Sequence, residues 1–381
     1  MRAELRDAAA ALSASAALAS VGYAAFAMLQ LNAFGRRVRA RPEAPARGRE
    51  QPAISVLKPV HGLEPGLEEN LRSFCAQDYG AFEVVFGVHG AGDPALEVVR
   101  RVAAGNPRRT RVVVGDGTTP VRNPKIANVA AMLPGTSGEI VVIADSDMRV
   151  GPGYLAALAA TFDDPRVGAV TALYRGEAAV PGVASVLGAM WIGEQFAPSV
   201  LVANAVEPLA YTFGSTMAVR RAVLERIGGI AALGDTLADD HELGRRVARA
   251  GFAVALAPYV VTTMVAERDV VGLVEHEVRW ARTIRSVRPR SYLGIPLTYP
   301  LPLALAHFAL ARDKRIALAL VGLAALARYG VHACAHAALG TRTVPPPAAI
   351  VQRDALGVVV WLLGLKRGSV RWRDRVLDLK H

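Results

Sequence analysis

Residues 139–147 run Glu-Ile-Val-Val-Ile-Ala-Asp-Ser-Asp. The β-branched and apolar residues read as a buried strand, closed by two carboxylates with one residue between them. A pair placed there stands at the rim of an open α/β sheet, where ligands bind. Asp145 and Asp147 would offer oxygen to a hard divalent cation, which favours carboxylates together with substrate phosphates. Group transfer from a nucleotide diphosphate uses that chemistry. A plainer reading has the two residues only solvating and turning the chain.

Three further groups follow the same logic. Asp93 lies just past an apolar run, in Val88-His-Gly-Ala-Gly-Asp-Pro-Ala95. A carboxylate there can accept from a nucleobase or ribose, or cap the helix that Pro94 opens. Arg122-Asn-Pro-Lys125 begins another helix, which places Lys125 near an N-terminus where anions collect. The third is Leu237-Ala-Asp-Asp-His-Glu-Leu243, at a helix start after a glycine-containing loop. Asp239 and Asp240 there are cap and first-turn residues, or one of them is a general base for an acceptor hydroxyl. Further on, Arg279 and Trp280 offer a cation for a diphosphate and an indole for a sugar face.

The elements that must position these groups alternate. Ala53–Val60, Phe82–His89, Arg111–Gly115 and Glu139–Ala144 read as strands. Leu67–Ala76, Pro94–Ala104 and Pro124–Leu133 read as helices between them. This alternation predicts βαβ units and a mainly parallel, Rossmann-type sheet. Val167–Tyr174 is expected to add a strand. Thr236–Ala250 is expected to form a helix with acid first and base last, matching its dipole.

Hydrophobic residues make up 52% of the 381-residue chain, and the excess is local. Ala8–Gly35 carries no charge and exceeds the roughly 20 residues that span a bilayer core. Arg2 and Arg6 would suit a signal peptide, but the run is long and Arg36–Arg41 follows directly. It therefore reads as an anchor with its C-terminal side in the cytoplasm. Gly182–Val202 reads as an interfacial or buried helix. Ser291–Ala311, broken by Pro296, Pro300 and Pro302, reads as kinked or re-entrant, and in the re-entrant form Arg312–Arg315 stays inside. Ile316–Gly340 is long enough to span but contains Arg328. Ala355–Leu365 is too short unless Arg353 and Asp354 lie among headgroups.

The net charge of +11 gathers beside these apolar segments. With few aromatics to stack bases, an anionic membrane face is the expected partner, not nucleic acid. Cys75 and Cys334 fall in different segments, and no disulfide is expected. The expected organisation is an anchor over 1–35, a basic linker over 36–52, a catalytic domain over 53–290, and a membrane module with a basic cytoplasmic tail over 291–381.

The ordered motifs resemble those of inverting family 2-type glycosyltransferases, which carry three aspartate sites followed by an Arg-Trp pair. Val56-Leu-Lys-Pro-Val-His-Gly62, Arg122-Asn-Pro-Lys125, Asp145-Ser-Asp147, Asp239-Asp240 and Val278-Arg-Trp280 are similar to the ceramide glucosyltransferase group. They are similar also to its bacterial relative, the hopanoid-biosynthesis glycosyltransferase. The resemblance covers about residues 50–290 and the membrane flanks.

That resemblance implies a GT-A fold, an N-terminal transmembrane helix and a C-terminal membrane-embedded helical module. It implies transfer from a UDP-sugar donor to a lipid acceptor at the cytoplasmic membrane, with the catalytic domain cytoplasmic. Asp240 takes the base position, with Asp239 in support. Lys58, Asp93, Lys125, Asp145, Arg279 and Trp280 belong to the nucleotide-sugar set. Asp147, with Asp145, would hold Mn²⁺ or Mg²⁺. His276 departs from the pattern, which has Gln or Arg three residues before the arginine.

N-acetylglucosamine onto a hopanoid polyol is the favoured pair, with glucose onto ceramide as the alternative. Glucose and N-acetylglucosamine differ at one substituent, and no residue decides between them. A polysaccharide synthase would need more spans. A non-enzymatic membrane adaptor would leave the ordered charges without use. A nucleotidyltransferase acting on a lipid would have no task for Asp240 or Arg279-Trp280.

Overall fold

The structure is a computed structural model. It describes residues 2–41, 51–118, 121–236, 238–342, 344–366, 370–372 and 375–377. Much of the basic linker, Leu237 of the Asp239 motif and most of the basic tail therefore lie outside the described residues. Within the tail, Val370–Trp372 and Arg375–Leu377 pair as an antiparallel hairpin.

Packing divides the chain into two compact units. One comprises Arg37–Arg175 and Val206–Met264; the other comprises Met1–Arg36, Gly176–Ala205 and Val265–His381. Residues 176–205 and 265–290, grouped with the catalytic domain by sequence, thus pack with the apolar helices.

The first unit is built on an eight-stranded sheet. Its strands are β1 (Ile54–Val60), β2 (Phe82–Val88), β3 (Thr110–Val114), β4 (Ile140–Ile143), β5 (Met148–Arg149), β6 (Val167–Ala178), β7 (Met217–Arg220) and β8 (Ala253–Val265). They lie in the order β3-β2-β1-β4-β7-β6-β8-β5. β3, β2, β1 and β4 are parallel, as their alternation with helices predicts. β7 pairs antiparallel with β4 and β6, and β5 antiparallel with β8. The sheet is therefore mixed: β8 runs along β6 in the same direction, Ala253 meeting Arg166 at one end and Val265 meeting Ala179 at the other. The helical segment Val183–Val206 lies between β6 and β7, yet β7 returns antiparallel to β6.

β1 and β4 are buried along their whole length. Val56, Val84, Phe86 and Val142 pack into a core with Leu71, Phe74, Val99 and Leu158 from the helices. Burying each such side chain is worth about 1.5–3 kcal/mol. Sequential strands run outward from β1 to β3, and the chain then returns to place β4 on the other side of β1. That reversal is the topological switch point, beyond whose carboxyl ends ligands bind in open α/β sheets. Gly62 and Asp145 both follow strands that end there.

In the second unit, Glu4–Ala40, Val183–Val206 and Lys314–Leu339 are long and apolar enough to cross a membrane. Most of Val183–Val206 is buried in protein, which fits the buried-helix reading. Pro289–Thr298 and Pro300–Leu310 form a pair bent by 72°.

Contacts along the first helix fix the direction of its neighbours. Ser20 Oγ donates to the Leu297 carbonyl, Ser13 meets His307, and Arg312 pairs with Asp7 at 2.8 Å. Pro300–Leu310 thus runs antiparallel to the first helix. Asn32 Nδ2 meets Cys334 Sγ, so Lys314–Leu339 runs back in parallel. If the first helix crosses a membrane, Arg312 shares a side with Asp7, opposite Arg36–Arg41. These contacts do not keep Arg312 on the side of Arg36–Arg41. Cys75 and Cys334 are both free thiols.

Two arginines of this unit are fully enclosed. Arg328 pairs with Glu194 at 2.8 Å and with Asp354 at 2.9 Å. Arg353 forks onto Glu277 at 2.6 and 2.7 Å. Arg353 and Asp354 are therefore inside the helical packing, not among headgroups. Placing a charge there is tolerable only because each has a partner.

Arg353→Met should strand Glu277 and destabilise the protein by about 3–5 kcal/mol. Adding Glu277→Leu should recover most of that loss, because an apolar pair of similar volume replaces the ions. Melting of the detergent-solubilised protein reads both. A double variant as unstable as the single one would show that the ion pair is not the source.

Candidate active site

Lys125 is the junction of the site. Its Nζ lies 2.8 Å from Asp145 Oδ1 and 3.0 Å from Asp239 Oδ2. Local sequence puts it there. Asn123 caps the helix Pro124–Met132, accepting from the Lys125 and Ile126 amides, and Pro124 occupies the first turn. The Asn123 amide also donates to the Thr236 carbonyl at 2.9 Å and to Asp239 Oδ1 at 3.2 Å. Burial pulls Lys125 down, but Asp145 and Asp239 outweigh it and hold its pKa well above the ordinary lysine value.

The loop before β7 ties the two acidic motifs together. Gly214 accepts from the Asp145 amide at 3.1 Å, and its own amide donates to Asp240 Oδ2 at 3.2 Å. Thr212 donates through its hydroxyl to the Asp240 carbonyl at 2.8 Å. The helix Asp239–Arg249 approaches this loop closely at Gly244. A Cβ there would come within 2.2 Å of the Tyr211 backbone.

Asp240 stands at the start of that helix, as expected, but the dipole does not decide its charge. Burial and the neighbouring Asp239 push its pKa up to about 7. Asp147 is likewise raised to about 7, by burial and then by Asp145 and Glu64. Thr263 donates to Asp147 Oδ2 at 2.8 Å, and Ser146 donates to Glu64 at 2.8 Å. Asp145, Asp147, Asp239, Asp240 and Glu64 outnumber Lys58 and Lys125. A proton or a cation must offset that excess, so these oxygen ligands suit a hard divalent ion.

Asp93 both caps and braces. It accepts from the Ala95 amide at 2.9 Å and the Gly62 amide at 3.0 Å, and pairs with His61 at 2.8 Å. The first motif is thereby joined to the Asp93 turn. Lys58 departs from expectation. It is fully buried, lies 3.9 Å from the Phe74 ring centre, and donates to the Asp145 carbonyl. Enclosed in this way, it supports the Asp145 turn from beneath. Burial draws its pKa down to about 7.

Arg279 and Trp280 belong to the helical unit, on the helix Val270–Val287. Trp280 stacks on Trp191 with ring centres 5.0 Å apart, and His276 packs against Trp280 at 4.1 Å. His276 also pairs with Glu267. The sequence reading missed Glu64, Thr263 and Gly214. None lies in a charged motif, and only tertiary proximity marks them.

Among the described residues, one group of three metal-ligating side chains meets, and it is not at Asp145 and Asp147. Glu194, His332 and His336 of the helical unit present ligand atoms within 4.8 Å of one another. They form a plausible divalent-metal cluster.

The mixed sheet with this acidic rim is a GT-A-like glycosyltransferase fold, flanked by long apolar helices toward both ends. The profile of glycosyl transferase family 21 matches residues 12–381, and the chain belongs to that family. Ceramide glucosyltransferase 1 of Caenorhabditis elegans is 25% identical over 248 residues, covering 65% of this chain and 53% of that one. The chain thus spans about half the length of that curated relative. An N-acetylglucosaminyltransferase of Rhizobium meliloti is 26% identical over 319 residues, covering 79% and 69%. The mannosyltransferase PcManGT of Pyrobaculum calidifontis, solved with GDP-Man and Mn²⁺, shares the fold at TM-score 0.50 and 22% identity. It covers 92% of this chain and 98% of its own.

Gly214→Ala tests the coupling of the two acidic motifs. The added Cβ would lie 2.3 Å from Asp145 Oδ2. Asp145 must then turn away, breaking its pair with Lys125. We expect transfer activity to fall by at least about tenfold, equivalent to 1.4 kcal/mol, with melting nearly unchanged. Full activity would show that the Asp145–Lys125 contact is dispensable.

Proposed function

We propose that this chain transfers a sugar from a UDP-sugar to a lipid hydroxyl, with inversion at the anomeric carbon. The observation that carries the reading is Lys125 joining Asp145 to Asp239 beside Asp240. It joins a donor-side carboxylate to the pair at the base position of the resembled family. Of the two acceptor readings, glucose onto a ceramide-type lipid is better supported than N-acetylglucosamine onto a hopanoid. The match to ceramide glucosyltransferase 1 favours it, and no relative reported above is named for hopanoids.

In this reading Asp240 accepts the proton of the acceptor hydroxyl as that oxygen attacks the anomeric carbon. The bond from that carbon to the diphosphate oxygen breaks on the opposite face, and UDP leaves with the electron pair. One displacement inverts the centre and needs no covalent intermediate. Asp147 and Asp145 would hold Mn²⁺ or Mg²⁺, which when bound neutralises charge on the diphosphate. Lys125 keeps Asp145 and Asp239 in register. Asp93 would meet the nucleotide, and Arg279 and Trp280 would serve the diphosphate and the sugar. Lys58 acts only through the Asp145 turn.

Purified protein in lipid nanodiscs, supplied with UDP-glucose or UDP-N-acetylglucosamine and with ceramide or a hopanoid polyol, tests the pairing. Glycosylceramide from UDP-glucose is expected. Product only with the hopanoid would reverse the acceptor assignment, and UDP release without glycolipid would defeat the transfer reading. EDTA should stop the reaction and Mn²⁺ should restore it. Asp147→Asn should remain folded but lose most of the rate.

Asp240→Asn should lower turnover roughly 10²–10⁴-fold with donor binding kept. The base works only when ionised, so the rate should rise with pH through about 7. Asp239 is one of the causes that raise Asp240. Asp239→Asn should therefore move this rising limb to lower pH. A limb that stays in place at saturating Mn²⁺ would assign the titration to another group.

A further inference from the structure

We propose that Glu194, His332 and His336 form a binding site for one divalent transition ion of the zinc type, separate in chemistry from the diphosphate cation. His332 and His336 are four residues apart on the helix Lys314–Leu339, so both project from one face. Their ligand atoms meet a single oxygen. His332 Nδ1 lies 2.9 Å and His336 Nε2 3.1 Å from Glu194 Oε1. Ligand atoms around a tetrahedral zinc with bonds of about 2.0–2.1 Å lie about 3.3 Å apart. Both imidazole nitrogens are thus within a few tenths of an ångström of that spacing from Oε1, and all three ligand atoms lie within 4.8 Å of one another. Two imidazoles with one carboxylate leave a fourth position for water.

The surroundings fit ligands rather than a chance meeting. The outer oxygen of Glu194 is held by Arg328 at 2.8 Å, and Arg328 is held in turn by Asp354. The far ring nitrogen of His336 is held by the Thr341 hydroxyl. Such outer contacts fix ligand orientation in metal sites. Glu194 sits on a π-helical turn, Ile192–Phe196, within the helix Val183–Val206. Turns of this kind interrupt helices frequently at functional sites.

Charge points the same way. Glu194 and Asp354 face one Arg328, so the two carboxylates outnumber the guanidinium that pairs with both. Glu194 and His332 are buried and His336 nearly so. Imidazole suits zinc and its first-row neighbours, whereas Mn²⁺ and Mg²⁺ prefer oxygen. The ion would tie the π turn to the last turns of the Lys314 helix.

The test uses the full chain, without a polyhistidine tag, in detergent. Elemental analysis follows desalting, and the chelator-stripped protein is then titrated with Zn²⁺ alone. We expect one tightly held zinc per chain. It should be retained by Asp147→Asn and lost from His336→Gln, whose amide still hydrogen-bonds but ligates poorly. Zn²⁺ should raise the melting temperature of stripped wild type and leave that of His336→Gln unmoved. No uptake by stripped wild type, with no change in melting, would mean that the three groups share a proton instead. Equal uptake by wild type and His336→Gln would place the zinc elsewhere and overturn the assignment.

Discussion

The site depends on one ammonium held between two carboxylates. Lys125 meets Asp145, at the end of β4, and Asp239, at the head of a helix far along the chain. Three constraints converge on it. Asn123 fixes the start of its helix and reaches across to the Asp239 segment. The Gly214 loop links the Asp145 backbone to the Asp240 side chain. The switch point between β1 and β4 opens the rim where these meet. Without the ammonium, several carboxylates would crowd a partly buried corner, and each would favour its protonated form.

The two lysines at this rim show how burial and pairing compete. Lys58 and Lys125 both lose water. Lys58 is given a carbonyl oxygen and an aromatic ring, and burial wins, drawing it toward neutrality. Lys125 is given two carboxylates, and pairing wins. One residue type therefore does two tasks. Lys58 braces a turn, while Lys125 carries a fixed positive charge into the site. For Asp240 the balance runs the other way. The helix dipole contributes modestly within a first turn, whereas burial beside Asp239 dominates. In the proposed role of general base, a pKa near the working pH is the more useful result.

Much of this was legible in the sequence. The four parallel strands, their intervening helices and the Asp239 helix follow from apolar periodicity and capping residues. The mixed half of the sheet did not, because β7 is only Met217–Arg220 and its direction depends on its partners. The burial of Lys58 was not legible, because a motif gives a residue's order but not its depth. Thr263 and Glu64 were invisible because their task exists only beside Asp147. The buried arginines were misjudged for a related reason. Hydropathy sees Arg353 and Asp354 as interruptions, while the fold supplies Glu277 and Arg328 as their partners.

Those partners also govern the helix that carries the Arg-Trp pair. Leu273, Glu277 and Ala281 recur every fourth residue and form its buried stripe. A carboxylate in the middle of that stripe would be costly alone, and the fork from Arg353 makes it a fixed point. His276 and Trp280, also four apart, form an adjacent stripe that packs as an aromatic pair and carries Trp280 onto Trp191. The rotation of the helix is therefore set by an ion pair on one face and by ring packing on the next. Since Glu277 precedes Arg279 by two residues, locking Glu277 inward turns Arg279 toward a different face of the helix. The motif's spacing thus sets the anchoring Glu277 and Arg279 on different faces of one helix.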